Sequence, residues 1–324
     1  MESPSSFQNT KDLKFVFTLG SWMTPFVQNG KSYNSITLQG LRATVNIDNA
    51  GGAMMGNLSA SIFGLPLEHI NKLTSLQWKV PTLAAPGSTF SMYTVQVYAI
   101  DGQQETLIFN GDVLNAWGDF SAMPQVSLLV QAVVGYSALV NPANPLSISA
   151  NATVGTVMQQ ISQSMGFSFQ GSSASGELLN QTVSKGSYFG NTAMEQARSM
   201  QAAYRFWMYI DGTTNPPTLA VVPWGRARQS SVAVPFISPE TGLIGYPLFN
   251  SSGVTFQCYY TPNMVFGGQV QISSSVAQAN AVWTVVAMSH QLSSQVDGGP
   301  WGSTVQAVAG DFGNLFSILS GGAA

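Results

Sequence analysis
Short runs in which apolar and polar residues alternate open the chain, at 15–18, 35–38, 43–47, 58–62, 93–100 and 106–109. Successive side chains of a strand point to opposite faces, so this period of two predicts β-strands with one buried face. The clearest is Tyr93-Thr-Val-Gln-Val-Tyr-Ala-Ile100, closed by Asp101 and Gly102 and followed at once by another run, which predicts a hairpin. Between the strands, Leu67, Ile70, Leu73 and Leu76 fall at helical spacing and predict one helix. The stretch up to about Tyr136 therefore reads as a mostly antiparallel β segment.

From about Pro145 to Trp224 the period changes. Val154, Val157, Met158, Ile161 and Met165 line one face of an amphipathic helix that ends at Gly166. A second helix starts at Thr192-Ala-Met-Glu195, a capping box, and should bury Ala193, Ala197, Met200 and Tyr204. Runs at 204–210 and 218–222, around the turn Asp211-Gly-Thr-Thr-Asn-Pro-Pro217, predict a hairpin. Beyond Val232 the β pattern returns at 254–260, 268–272, 282–288 and 303–308, with Val254, Phe256, Cys258 and Tyr260 on one face. The order β, α+β, β predicts a mainly β protein with an α+β insert between two barrel-like or sandwich-like segments. The expected boundaries are an arm at 1–12, a first β domain at 13–140, an α+β module at 141–231, a second β domain at 232–310 and a Gly-rich tail at 311–324.

Composition narrows the functional classes. Only 8 % of the 324 residues are charged, against roughly 25 % in an ordinary soluble domain. Spread over the ~13,000 Å² that a monomer of this mass exposes, each charge stands alone on about 500 Å². Such a neutral surface disfavours a dispersed monomer and predicts a part that works assembled. No charge at all falls between Phe120 and Gly176, which reads either as a polar linker with core strands or as a contact surface. Eleven basic against fourteen acidic residues, for a net charge of −3, oppose nucleic-acid binding driven by counterion release, and Arg226 with Arg228 make too small a basic patch. A single cysteine, Cys258, excludes an internal disulfide framework. Residues 1–14 lack the apolar core of an export signal, and the longest apolar stretch, 126–140, is interrupted by Ser127, Gln131, Gly135 and Ser137. Folding in a cytoplasm without membrane insertion is the expectation.

Chemistry-bearing patterns are sparse. The chain has no nucleophile elbow, no zinc-protease helix, no phosphate-binding loop and no dinucleotide fingerprint. Asp112 and Asp119 flank Trp117, which admits a glycosidase-like carboxylate pair; Gly111, Asn115 and Gly118 between and around them read instead as a turn whose acids bind backbone N–H groups. Glu240, in Ser238-Pro-Glu-Thr-Gly242, reads as a turn acid. His290, with Asp297 seven residues on, reads as a strand-end or interface histidine, and His69 beside Glu68 as a solvent-facing or carbonyl-capping one. The tryptophans, Trp22, Trp78, Trp117, Trp207, Trp224, Trp283 and Trp301, are dispersed, so core packing is expected of them rather than a stacking platform. No catalytic, cofactor or metal site is assigned.

Several runs resemble the baseplate hub proteins of contractile-tailed bacteriophages. They are Ser238-Pro-Glu-Thr-Gly-Leu-Ile-Gly-Tyr-Pro247, Tyr260-Thr-Pro-Asn-Met-Val-Phe-Gly-Gly268, Val282-Trp-Thr-Val-Val-Ala-Met-Ser-His290 and Gly298-Gly-Pro-Trp301, with Gly111-Asp-Val-Leu-Asn-Ala-Trp-Gly118 and the 58–78 passage in the first segment. The resemblance implies a homotrimer in which each chain supplies two tail-tube-like β-barrels, so that three chains match a sixfold tube above and a threefold spike below. It implies a virion component made in the host cytoplasm, with tail tube or ring protein, central spike, tape measure and wedge proteins as partners, and a channel through which DNA passes unbound. Some hubs of the family carry a cell-wall-degrading domain, for which this chain shows no spare segment. A cell-wall hydrolase using Asp112, Asp119 or Glu240, and a tube-terminating or distal ring protein, are the competing readings.

Overall fold
The computed structural model describes residues 10–20, 25–28, 30–50, 55–74, 93–148, 151–171, 176–183, 188–251 and 253–309. Trp22, Trp78, Leu76, most of the expected arm and the tail at 311–324 lie outside the described residues.

The first β segment comprises β1 (Lys11–Thr18), β2 (Phe26–Gln28), β3 (Lys31–Tyr33), β4 (Ser35–Leu38), β5 (Ala43–Ala50), β6 (Asn57–Phe63), helix α1 (Leu67–Thr74), β7 (Thr94–Asp101), β8 (Gln104–Asp119) and β9 (Ser127–Val133). The middle contains α2 (Tyr136–Val140), β10 (Leu146–Ser147), α3 (Val154–Met165), β11 (Ser168–Gly171), α4 (Gly176–Asn180), β12 (Tyr188–Phe189), α5 (Ala193–Tyr204), β13 (Phe206–Asp211) and β14 (Thr218–Pro223). The last segment holds β15 (Phe236–Ile237), β16 (Leu243–Asn250), β17 (Gly253–Tyr259), β18 (Gln269–Ile272), β19 (Val282–Ser294) and β20 (Trp301–Ala309). The chain is mainly β with a few helices, as its hydrophobic periods predict.

The two β segments share one 13-stranded sheet, ordered β16-β17-β20-β19-β5-β6-β9-β8-β7-β1-β4, with β18 and β15 branching from β19. Strand β19 makes the join. Along one edge its first residues pair with β18 (Gln271 opposite Val282) and its later ones with β5, from Ala287 opposite Ala50 to Ser294 opposite Ala43. Its other edge pairs with β20. Each segment nevertheless surrounds its own apolar cluster: Phe15, Phe17, Ile47, Ile62, Phe109 and Leu128 belong to the first, and Val254, Phe256, Cys258, Val270, Val285 and Val305 to the second. The ladders run from one segment into the other rather than closing each on itself, and among the described strands of this sheet β4, β15 and β16 remain edges.

The α+β module inserts between these cores. Its sheet, β11-β14-β13, is apolar on both faces, and the strand period sorts them. Phe206, Met208, Ile210, Leu219 and Val221 join the first cluster beside the buried Val154, Val157, Met158 and Ile161 of α3, while Tyr209, Ala220 and Val222 join the second. Both predicted helices carry the expected caps. Thr153 accepts from the Thr156 N–H and Gly166 closes α3 in the left-handed conformation, and the Thr192–Glu195 box opens α5.

Three local expectations are corrected. Leu67 is exposed, so α1 buries only Ile70 and Leu73. Strands β9 and β16 have no counterpart among the predicted runs. The supposed turn at 111–118 is the second half of β8, which continues through two bulges and exchanges partners from β7 to β9. Gly111 stands there because a Cβ would lie 2.7 Å from the Val133 carbonyl oxygen and within 3 Å of the Phe109 ring. The glycine marks a close approach inside a strand.

Candidate functional site
Extended backbone decides the fate of the two aspartates. Asp112 and Asp119 lie seven residues apart on one strand, roughly 20 Å at a strand's rise per residue, whereas paired glycosidase carboxylates stand about 5–9.5 Å apart. They serve separate local duties. Asp112 is buried and accepts the Ser137 N–H at 2.6 Å, where α2 begins. Burial raises its carboxyl above the ordinary range, against the opposing hydrogen bond from Ser137. Asp119 accepts the Ser121 N–H at 2.9 Å, and the Ser121 hydroxyl first, then this N–H, lower its carboxyl. Glu240 is exposed in the turn that carries β15 into β16.

The strand-end placement expected of His290 and the solvent-facing placement expected of His69 are corrected. His290 is not at a strand end: β19 runs on to Ser294, and the ring is buried between the two cores. Its Nδ1 lies 2.7 Å from Ser303 Oγ on β20, and Tyr260 meets it edge-on at 5.4 Å. Burial lowers its pKa to about 4, with the Asp48 charge pulling weakly the other way. Serine and neutral histidine in hydrogen-bond contact resemble part of a nucleophilic pair, but neither residue lines any of the concavities described below. His69 is half-buried, edge-on to Phe26 at 6.4 Å, rather than solvent-facing.

Arg226 and Arg228 do not form a basic surface pair. Arg228 is buried, and its Nη1 donates to Asp211 Oδ2 at 2.6 Å while Nε donates to Gln170 Oε1 at 2.8 Å. The Arg228 N–H donates to the Gly267 carbonyl at 2.7 Å. The other carboxylate oxygen of Asp211 accepts from the Thr213 N–H and hydroxyl at 2.8 and 2.6 Å. Asp211 thus both shapes the β13–β14 turn and binds the arginine, and the network ties the module to the last β segment. Losing one partner of a buried pair strands the other charge, at a cost of about 3–5 kcal/mol. Sequence reasoning missed this pair, because nothing local to Asp211 or Arg228 marks the other as its partner.

Cys258 is buried and free, its thiol pushed up to about 12 by desolvation. Among the described residues no cluster of His, Cys, Asp and Glu is arranged to hold a metal ion, and no helix is long and apolar enough to cross a membrane. Of the tryptophans described, Trp283 is buried, whereas Trp224 is 47 % exposed and packs on Trp207 at 5.1 Å, so core packing is not their common role.

The largest features left are surfaces. A groove of about 420 Å³ runs between the extended 226–235 segment and the turn at 263–269. A second, of about 410 Å³, lies by Lys11, Asp297 and Trp301, and a third, of about 780 Å³, by Arg42, Phe63 and Gln125. The edge strand β16 exposes Ile244, Tyr246, Leu248 and Phe249. None of Asp112, Asp119, Glu240, His69 or His290 lines these three grooves.

The family described as baseplate hub gp41 matches residues 16–298. The fold is similar to the 43 kDa tail protein of prophage MuSo2 from Shewanella oneidensis, with a TM-score of 0.57 at 10 % identity over 93 % of this chain and 96 % of that one. It is similar to a tail protein from Neisseria meningitidis MC58, with a TM-score of 0.56 at 9 % identity over 91 % and 96 %. A third likeness, with a TM-score of 0.53 at 10 % identity over 83 % and 73 %, is to the E. coli c3393 protein, a type VI secretion component described as structurally similar to the T4 tail proteins gp27 and gp5. No curated protein matches. With a family match over most of its length and the fold of phage tail proteins, the chain belongs to the baseplate hub gp41 family of tail structural proteins.

Proposed function
We propose that this chain is the trimeric hub of a phage tail baseplate, joining a sixfold tail tube to a threefold central spike and forming part of the channel wall. The observation that carries the reading is the join at β19: two antiparallel β segments, each around its own apolar cluster, are linked edge to edge by the β5–β19 ladder. A chain that offers two β units side by side has the form needed for three copies to make a ring of six. In this reading the units are 13–140 and 232–310, each a tube-like barrel, and the module at 141–231 packs against both. Partners are the tube or an adjacent ring protein, the spike, and the tape measure and wedge proteins. No catalytic role is assigned to the chain. A channel with few Lys and Arg residues passes DNA without holding its phosphates.

The test is twofold. Gold-labelled antibody against this chain should decorate the tail tip of intact virions, and native mass measurement of the purified protein should give three copies. Six copies would favour a ring protein with one unit per chain. Labelling elsewhere on the particle, or none, would sink the baseplate assignment.

A further inference from the structure
The groove of about 780 Å³ is lined mostly by apolar residues, among them Leu41, Phe63, Leu65 and Val126, and carries a single charge, Arg42. Its volume falls in the ~300–1,000 Å³ range of ligand sites. The Arg42 guanidinium lies over the Phe63 ring, 4.0 Å from its centroid, and Nη2 donates to Gln125 Oε1 at 3.0 Å. Among the described residues it meets no carboxylate. A guanidinium offers its N–H donors as a planar fork, so most of the fork is left over. The walls are fixed from within. The Phe63 N–H donates to the Arg42 carbonyl at 2.9 Å, the Gln125 N–H to the Ala122 carbonyl at 2.9 Å, and the Ser294 hydroxyl to the Leu41 carbonyl at 2.7 Å. Leu67 and Met123, the chain neighbours of the lining residues Pro66 and Pro124, are 57 % and 72 % exposed. A preformed apolar groove with one oriented cation has the make-up of a binding site.

We propose that this groove takes a linear, mainly apolar segment of a different protein, and that one Asp or Glu side chain of that segment pairs with Arg42. Charge complementarity selects the ligand. A carboxylate matches the guanidinium fork, and stacking on Phe63 keeps the fork in place. A nucleic acid is a poor match, because it binds through several Lys and Arg contacts to phosphate and this groove has one cation between apolar walls. The exposed carboxylates described in this chain are a poor match too. Helices hold Glu68, Glu177 and Glu195, ladders hold Asp48 and Glu105, and turns hold Glu240 and Asp297. None of them sits on a linear segment that could enter the groove of a second copy. The inference goes beyond the hub reading and does not need it.

The experiment uses the purified full chain and an array of end-blocked nonapeptides of valine, leucine and serine with glutamate, glutamine or lysine at the centre. Glutamate peptides should be retained and their glutamine and lysine counterparts should not. In fluorescence anisotropy the best glutamate peptide should bind saturably, and exchange of its glutamate for glutamine should raise Kd at least ~10-fold, as expected for hydrogen bonds to a charged group. Arg42→Gln should bring the same loss with the circular dichroism spectrum unchanged, while Arg226→Gln, at another groove, should leave binding intact. A photoreactive leucine in the peptide gives a readout on the unmutated chain, and irradiation should attach it within 40–42, 63–66 or 124–126. Absence of saturable binding, equal affinity for the glutamate and glutamine peptides, an undisturbed Arg42→Gln variant, attachment elsewhere, or displacement of the peptide by a DNA duplex would each overturn the assignment. Copy number and tail-tip labelling are scored separately, so the hub reading and this groove can fail independently.

Discussion
His290 shows how one side chain couples the fold to pH. In the unfolded chain its imidazole protonates with a pKa of 6.5, whereas in the folded protein burial holds that value to about 4. Above pH 6.5 neither state binds the proton and the stability is fully present. As the pH falls from 6.5 to 4 the unfolded chain takes up the proton and the native one does not, so stability declines by about 3 kcal/mol and then levels off. Replacing the ring by an amide that can still bond Ser303 should remove this slope: for His290→Gln, the loss of Tm between pH 7.5 and 4.5 should be clearly smaller than in wild type. Equal acid sensitivity in the two proteins would place the titration on other groups.

At the scale of elements, most strands and all the long amphipathic helices were legible. Val154, Val157, Met158 and Ile161 are all buried on α3, and the Asp101–Gly102 signal does turn β7 into β8. The period of a half-buried element is written in its own residues, because each is sorted by one apolar face. Of the elements that escaped, two did so for opposite reasons. In β8 the residues Gly111, Asp112, Asn115 and Gly118 are those of a turn, yet the ladder to β7 and then the ladder to β9 hold them extended. In β16, apolar residues face water, so no alternation signals a strand. Gly111→Ala tests the first point. Its new Cβ would press on the fixed backbone of β9, and chemical denaturation should show a loss of about 1–3 kcal/mol. A turn residue in open space would tolerate the change.

For the whole molecule the decisive feature is the ladder between β5 and β19. Asn46, Ile47 and Asp48 face Gln291, His290 and Ser289 across more than two hundred residues of chain, and Leu292 of β19 enters the first apolar cluster while Val285 and Met288 enter the second. Cutting the chain would leave β5 and β19 as unpaired edges. Fragments 1–231 and 232–324 should therefore copurify when co-expressed with a tag on one half, and the second should aggregate when made alone. Independent, soluble, monomeric halves would mean that the joint contributes little.

The sequence by itself determined the class of the protein: where the periods of two and of 3.6 run, where the helices are capped, how few charges the surface carries, and which family the turns resemble. These properties depend on neighbours within a few residues or on simple counts. Tertiary structure alone decided that Asp211 and Arg228 meet in the interior, that Asp112 and Asp119 are kept apart, that His290 is sealed between two cores, and that β16 is left as an apolar edge. Each of those depends on which distant strand lies alongside, and a local pattern carries no information about a partner far away in the chain.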